Sequence, residues 1–223
     1  MTNNLKKLIS FASLMALSLQ LHAINYYISP TGNDNNAGTR EDAPLASLTT
    51  AQKKVKAGDV VYILPGTYQV KENEMMDKTS SNVWDIIFDF ATSGTADSPI
   101  IYKGVQDAQG NRPVFDLSAI NTGKRLTGFY IRAKYLEFSN FEVIGINVPK
   151  SSSNTQSENI RINGGSYCRF YNIAAHDGMG IGFYLTGRSA HNIISHCDAY
   201  NNFDSVNISV NNGGNSDGFG CHV

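Results

Sequence analysis

Three short stretches repeat one pattern: FSNFEV at residues 138–143, FYNIAA at 170–175 and ISHCDA at 194–199. The second lies 32 residues after the first and places aromatic on aromatic and Asn172 on Asn140; the third follows 24 residues later. Offsets in the twenties and thirties are typical of a parallel β-helix, in which each coil stacks on the last at about 4.8 Å. The two asparagines, recurring at one position, predict an internal ladder of side-chain amides.

The chain beyond Pro99 has the same character throughout, with short strands separated by irregular polar turns. Turns that face solvent can lengthen freely, which explains the irregular repeat. An antiparallel sandwich also has short strands, but it needs regular hairpin turns. Only Asn163-Gly164 and Asn212-Gly213 supply the Asn-Gly turn signal. We therefore predict an all-β protein with a parallel β-helix.

One helix is predicted ahead of these coils. Between Leu45 and Lys56, the apolar residues Leu48, Ala51 and Val55 continue from Leu45 at helical spacing. The open end of a β-helix presents unpaired backbone groups, so we expect this short N-terminal helix to cap it. The following stretch, VVYILPGTYQV, predicts two short strands broken at Pro65-Gly66.

The N-terminus has the pattern of a signal peptide. Lys6 and Lys7 precede a mostly apolar run from Leu8 to Leu21, which is too short for a membrane span, and the small residue Ala23 follows. We expect residues 1–23 to be removed, leaving one β-helix domain over 24–223. This predicts a secreted, periplasmic or extracellular protein without a membrane span after cleavage.

Composition excludes some classes of partner. The formal net charge of −1 gives no basic face for nucleic acid. Cys168, Cys197 and Cys221 are an odd number and lack the close pairs of a zinc site, so we expect them to be small interior side chains. We expect the protein to be a monomer.

Two motif-bearing regions resemble known proteins. Ser29-Pro-Thr-Gly-Asn-Asp34, Gly38-Thr39, Pro44–Leu48, Gly58-Asp59 and Pro65–Tyr68 are similar to the N-terminal segment of many secreted right-handed parallel β-helix proteins. Residues 192–223, NIISHCDAYNNFDSVNISVNNGGNSDGFGCHV, resemble a coil of the family 9 polysaccharide lyases, the pectate lyases with a Ca²⁺ site. The first match points to the right-handed fold and the second to the activity.

The resemblance implies a role for one residue. In the family, the Asp of the Asp-Gly-Phe motif is one of several carboxylates that bind Ca²⁺, and Asp217 has that position here. The other family ligands and the catalytic lysine belong to later coils, beyond Val223. We therefore expect a β-helix truncated at its C-terminal end, with little activity of its own; cleavage of polygalacturonate would belong to the complete protein.

The chemistry explains why those ligands matter. In the β-elimination that the resemblance implies, a base removes the C5 proton of a galacturonate unit, and the C4–O bond then breaks. Bound Ca²⁺ neutralises the neighbouring carboxylate, and a lysine or arginine of lowered pKa serves as base. Because Ca²⁺ takes about 6–8 oxygen ligands, Asp217 alone is one part of a site.

The sequence pattern identifies no residue of this chain as the base, so the catalytic residues stay unknown. The cationic candidates past residue 149 are Lys150, Arg161, Arg169 and Arg188, and for each we favour a solvated surface position. His176 and Asp177, before Gly178, can be read as an acid/base pair, but we favour a turn. His191, His196 and His222 show no metal-ligand spacing.

Two other functions stay open. A polygalacturonase-type glycoside hydrolase needs two or three carboxylates flanking the scissile bond, and Asp177 and Asp217 are isolated acids. A non-catalytic glycan-binding β-helix would expose aromatic side chains. The sequence assigns Tyr26, Tyr27, Tyr167 and Tyr171 to neither face.

Overall fold

The fold is a stack of parallel coils. The computed structural model describes residues 23–78, 84–149, 156–206 and 214–222. Within them, every pairing between the strands is parallel. This confirms the all-β parallel β-helix and excludes the antiparallel sandwich, which would pair neighbouring strands in opposite directions.

The strands form two sheets. Sheet A has nine strands and sheet B has five. Sheet A contains β1 (Asn25–Ile28), β2 (Val60–Ile63), β3 (Thr67–Gln69), β5 (Ile100–Gly104), β6 (Val114–Asp116), β8 (Leu136–Ile144), β10 (Arg169–His176), β12 (Ile193–Ser195) and β13 (Asp198–Tyr200). Sheet B contains β4 (Trp84–Phe90), β7 (Arg125–Ile131), β9 (Glu158–Asn163), β11 (Ile181–Thr186) and β14 (Phe219–His222).

The register of β8, β10, β12 and β13 confirms the predicted repeat. Phe170 pairs with Phe138, and Ala175 with Val143, which is the offset of 32. On the next coil Phe170 pairs with Ile194, and Ala175 with Ala199, which is the offset of 24. The aligned residues therefore occupy successive coils at equivalent positions.

Sheet A bends at two asparagines. Asn140 and Asn172 have φ values of 60° and 51°, a left-handed conformation that asparagine tolerates better than most residues. The Asn172 amide donates a hydrogen bond to Asn140 Oδ1 at 2.9 Å, which confirms the amide ladder. The bend divides the sheet into a first half, containing β1, β2, β5, β12 and the starts of β8 and β10, and a second half, containing β3, β6, β13 and the ends of β8 and β10.

Stacked aromatic rings fill the interior between the sheets. Phe138 lies between Tyr102 and Phe170, with ring centroids 5.1 Å from each. Phe90 packs edge-on against both Tyr102 and Phe138, so that sheet B closes on sheet A. Parallel coils put identical faces in register, and the rings stack for that reason.

The N-terminal helix is shorter than predicted. Helix α1 (Leu48–Gln52) packs on β1 and β4, whereas Leu45 is in a parallel bridge to Ile28. Ser47 caps the helix by accepting from the Thr50 N–H at 3.1 Å. Asp34 holds this cap, because its side chain accepts from the Ser47 hydroxyl at 2.7 Å and from the Ser47 N–H at 3.0 Å. The cap fixes where the helix begins, which apolar spacing alone does not show.

Two further predictions have different outcomes. Strands β2 and β3 confirm the break at Pro65-Gly66, but β4 was not predicted. The predicted signal peptide lies outside the described residues except for Ala23. In the described part of the chain, no helix has the length and apolar character needed to cross a membrane.

Candidate functional site

Asp217 lies where the chain enters sheet B for the last time in the described residues. It is exposed and is followed by Gly218 and strand β14. Its backbone carbonyl accepts from the N–H of Gly182 at 2.9 Å, which fixes it beside the start of β11. The carboxylate thus lies between the turn at Gly214-Asn215 and the sheet.

A buried ionic network lies two strands away from Asp217 in the same sheet. Glu158, at the start of β9, is fully buried. One of its oxygens accepts from Arg125 at 3.2 Å, from Arg161 at 3.2 Å and from Gln156 at 3.0 Å. The other accepts from the Thr127 hydroxyl at 3.0 Å. Four donors satisfy this carboxylate, as a buried charge requires.

Arg161 is not the solvated surface residue that we predicted. It is 9% exposed, and its guanidinium lies over the Trp84 ring at 4.8 Å and the Tyr184 ring at 5.4 Å. The two rings belong to the strands on either side of the network, β4 and β11. The planar, weakly hydrated guanidinium suits this position between aromatic faces, and strand alternation alone did not reveal it.

The described residues do not form a complete Ca²⁺ site. No group of three or more His, Cys, Asp or Glu side chains among them is placed to hold a metal ion. Asp217 supplies one carboxylate, and Ca²⁺ takes about 6–8 oxygens. Asp217 would therefore hold a Ca²⁺ ion only together with further oxygen ligands.

His176 and Asp177 do interact, in the second half of sheet A. His176 Nδ1 is 2.7 Å from an Asp177 oxygen, and His176 Nε2 is 3.3 Å from a Glu142 oxygen. Glu142 also accepts from Arg112 at 2.7 Å. The His176 ring stacks on Tyr200 with a centroid distance of 4.3 Å. Hydrogen bonding from His176 lowers the pKa of Asp177.

Asp177 is also the turn residue that we favoured. Its φ is 51°, and Gly178 follows it at the end of β10. The structure thus groups His176 with Glu142 and Arg112, neither of which the sequence singled out, and Asp217 lies at the start of the other sheet. This grouping could not be predicted from local pattern, because the three residues come from different coils.

The remaining candidates have separate positions. Lys150 lies outside the described residues. Arg169 and Arg188 are exposed, as predicted. The other histidines contact aromatic rings: His191 stacks on Tyr167, His196 is tilted against Tyr171, and His222 meets Tyr184 edge-on.

The cysteines are only partly interior. Cys168 is buried as predicted, Cys197 is half-buried, and Cys221 is exposed, contrary to prediction. Burial raises the pKa of the Cys168 thiol. All three are free thiols in the described structure.

The chain is similar to several known lyases. It is 29% identical over 197 residues to pectate lyase L of Dickeya dadantii, covering 87% of this chain and 40% of the relative. It is 29% identical over 225 residues to pectate lyase PEL9 of Emericella nidulans, covering 95% and 46%. The chain thus spans less than half the length of these curated relatives.

The chain is also similar to lyases of known structure. A rhamnogalacturonan lyase superposes with a TM-score of 0.74 at 38% identity, covering 89% of this chain and 51% of that one. Pectate lyase Pel9A superposes with a TM-score of 0.61 at 26% identity, covering 81% and 40%. The model of a family described as the Pel9A-like, right-handed β-helix region matches residues 26–223, and the chain therefore belongs to that family.

Proposed function

We propose that this chain is part of a secreted polysaccharide lyase that cleaves polygalacturonate by β-elimination. The observation that carries the proposal is the position of Asp217. It lies in Asn-Ser-Asp-Gly-Phe at the start of β14, in a chain that the family model matches almost from end to end. The two curated relatives are named pectate lyases, which supports a uronate-containing substrate.

Asp217 would contribute one oxygen ligand to a Ca²⁺ ion shared with carboxylates outside the described residues. Ca²⁺ bound there would neutralise the uronate carboxylate next to the reacting carbon. Two features of this chain suit that role: the side chain is exposed, and the hydrogen bond from Gly182 fixes its backbone. The buried network of Glu158, Arg125 and Arg161 would hold neighbouring strands of sheet B in place.

A second substrate has its own support. The solved rhamnogalacturonan lyase is 38% identical to this chain, whereas Pel9A is 26% identical. A rhamnogalacturonan backbone also contains uronate units, so the same β-elimination applies to it. Both polymers belong in the first assay.

The test is an assay of unsaturated product by ultraviolet absorbance. It compares the 223-residue chain with the longest protein translated from the same reading frame. Each protein is assayed with Ca²⁺ and with a chelator. We expect Ca²⁺-dependent product from the longer protein, loss of at least about 100-fold in its Asp217→Asn variant, and little product from the 223-residue chain. Mass spectrometry of the exported protein should show a mature chain beginning at Ile24.

Asp177→Asn is the matched control, because Asp177 also precedes a glycine and is exposed. We expect it to retain lyase activity. New reducing ends without unsaturated product, abolished by Asp177→Asn, would instead indicate a hydrolase. Full lyase activity in Asp217→Asn would overturn the assignment of Asp217.

A further inference from the structure

The structure shows which of the four tyrosines left unassigned by the sequence are buried and which are exposed. Tyr26 is buried, and Tyr27 stacks on Tyr62 with a centroid distance of 5.2 Å. Tyr167 and Tyr171 are 44% and 51% exposed, and both belong to the coil that contains β10. The first half of sheet A therefore presents large aromatic side chains to solvent.

These tyrosines border a groove on the outer face of the first half of sheet A. Two adjoining depressions of about 230 and 270 Å³ share Glu137, Arg169 and Ile193 as lining residues. One wall is the stack of Tyr135, Tyr167 and His191, whose centroids are 5.0 and 4.6 Å apart. Tyr171 lines the other side. The groove crosses several coils, a shape that suits an extended chain.

Tyr171 differs from the stacked rings in having small neighbours. The strand register places Ser139 before it and Ser195 after it. Among the described residues, the ring that contacts Tyr171 is His196, tilted by 55° at 5.1 Å. Part of the Tyr171 ring face is therefore available to a ligand, whereas the faces within the Tyr135–Tyr167–His191 stack are covered. An amphipathic aromatic ring of this kind can pack against the apolar face of a sugar.

The charges on this face complement an anion. Arg169, in the middle of the groove, has a side chain that is 68% exposed and lies 3.9 Å from Glu137, beyond hydrogen-bond distance. Lys103 is exposed and in register with Ser139 at the edge of the groove. The outward side chains of the first half thus contribute two cations and one acid, in a chain whose net charge is −1. A guanidinium with donors available to solvent matches the geometry of a carboxylate.

We propose that this groove binds a uronate-containing polysaccharide at a position separate from Asp217. Arg169 pairs with a uronate carboxylate, Tyr171 packs against a sugar ring, and the Tyr167 wall confines the chain. The groove is in sheet A and Asp217 precedes a strand of sheet B, so the two contact the polymer on different faces of the β-helix. The identity of the polymer rests on the proposed function; the chemistry of the groove does not.

The test is binding of the 223-residue chain to polygalacturonate, measured by affinity electrophoresis at low ionic strength with a chelator present. Highly methyl-esterified pectin is the comparison ligand, because it keeps the sugar chain and removes most of its charge. The variants are Arg169→Gln and Tyr171→Ala. Their matched controls are Arg40→Gln, which makes the same charge change at an exposed arginine, and Phe203→Ala, which removes a ring that is 52% exposed.

We expect each groove variant to lower the affinity for polygalacturonate about tenfold, and both controls to stay within about twofold of the parent. Methyl-esterified pectin should bind to the parent more weakly than polygalacturonate does, and Arg169→Gln should leave its affinity unchanged. Equal binding by parent and groove variants, equal binding of the two polymers, or no binding at all would overturn the proposal. The chelator excludes cleavage, so failure here leaves the lyase assay unaffected, and binding without lyase activity would leave the groove standing.

Discussion

The Asn172 side chain donates a hydrogen bond to Asn140 Oδ1 at 2.9 Å, from one coil of the β-helix to the one before it. Both residues have a positive φ and occupy equivalent positions on the two coils, so sheet A bends at the same place in each coil. Arg112 donates to Asn172 Oδ1 at 3.1 Å and continues the chain of hydrogen bonds. The bend, which is a property of the backbone, and the ladder, which is a property of the side chains, therefore depend on the same two residues.

Replacement of Asn172 should separate these two contributions. Asn172→Gly keeps the left-handed backbone accessible and removes the amide, which should cost about 1 kcal/mol in the free energy of unfolding. Asn172→Ala adds backbone strain and should cost about 2–3 kcal/mol. Urea unfolding measures both values. Equal stability of the two variants would show that the backbone conformation contributes nothing.

Gly104 lies at the end of β5, on the coil before Asn140 and next to it in the sheet. We expect alanine at this position to destabilise the fold. A Cβ atom on Gly104 would lie 1.8 Å from the Asn140 carbonyl oxygen, so the backbone must shift. Gly104→Ala should lower the free energy of unfolding by about 3 kcal/mol. Gly110→Ala is the control, because a Cβ there meets nothing within 4 Å although its φ is 86°; it should cost about 1 kcal/mol. A Gly104→Ala protein as stable as the control would argue against a rigid bend.

The repeat could be predicted because inward residues of a β-helix must match those on neighbouring coils. Phe138 and Phe170 stack at 5.1 Å, and aligning them in the sequence gave the register of three coils. Asp217 came instead from the resemblance to a family motif, and its role as a ligand stays a prediction. Local pattern therefore predicted the coils, and the resemblance supplied one candidate ligand.

The ionic network and the groove could not be predicted by the same reasoning. Burial is unbroken from Glu158 to Ile162, so strand alternation does not separate the faces and Arg161 looked like a surface residue. Arg169 and Lys103 lie on the same outer face of sheet A. Which residues of β5 and β10 align depends on the lengths of the irregular turns between these strands. Contacts between coils depend on those turn lengths, which strand pattern leaves undetermined.

Stability should depend on pH through Asp34. Burial opposes ionisation of Asp34, but hydrogen bonds from Ser47 and its neighbours outweigh this effect and lower its pKa from 3.8. A lowered pKa in the folded state means that the carboxylate stabilises the fold above pH 3.8 and that this contribution is lost as the pH falls through the folded-state pKa. Asp34→Asn should therefore cost about 1 kcal/mol at pH 7 and much less near pH 2.

Ser47→Ala tests whether that effect acts through the helix cap. Asp34 accepts from the Ser47 hydroxyl, and Ser47 accepts from the Thr50 N–H. The double variant should lose less than the two single losses together, because both substitutions remove the same hydrogen bond. Thermal unfolding across the pH range supplies the values. Additive losses, or an Asp34→Asn effect that does not change with pH, would contradict this account.

Among the ionisable residues of sheet B, we expect substitution of Glu158 to lower the free energy of unfolding the most. Glu158→Gln keeps the shape of the side chain but leaves Arg125 and Arg161 without their shared carboxylate, and their side chains are only 22% and 11% exposed. Removing one partner of a buried ion network costs about 3–5 kcal/mol. Glu137→Gln, at a contact of 3.9 Å to an exposed arginine, should change the free energy of unfolding by less than about 0.5 kcal/mol. Urea unfolding distinguishes the two, and a Glu158→Gln protein as stable as Glu137→Gln would mean that water, rather than the carboxylate, compensates the two guanidinium groups.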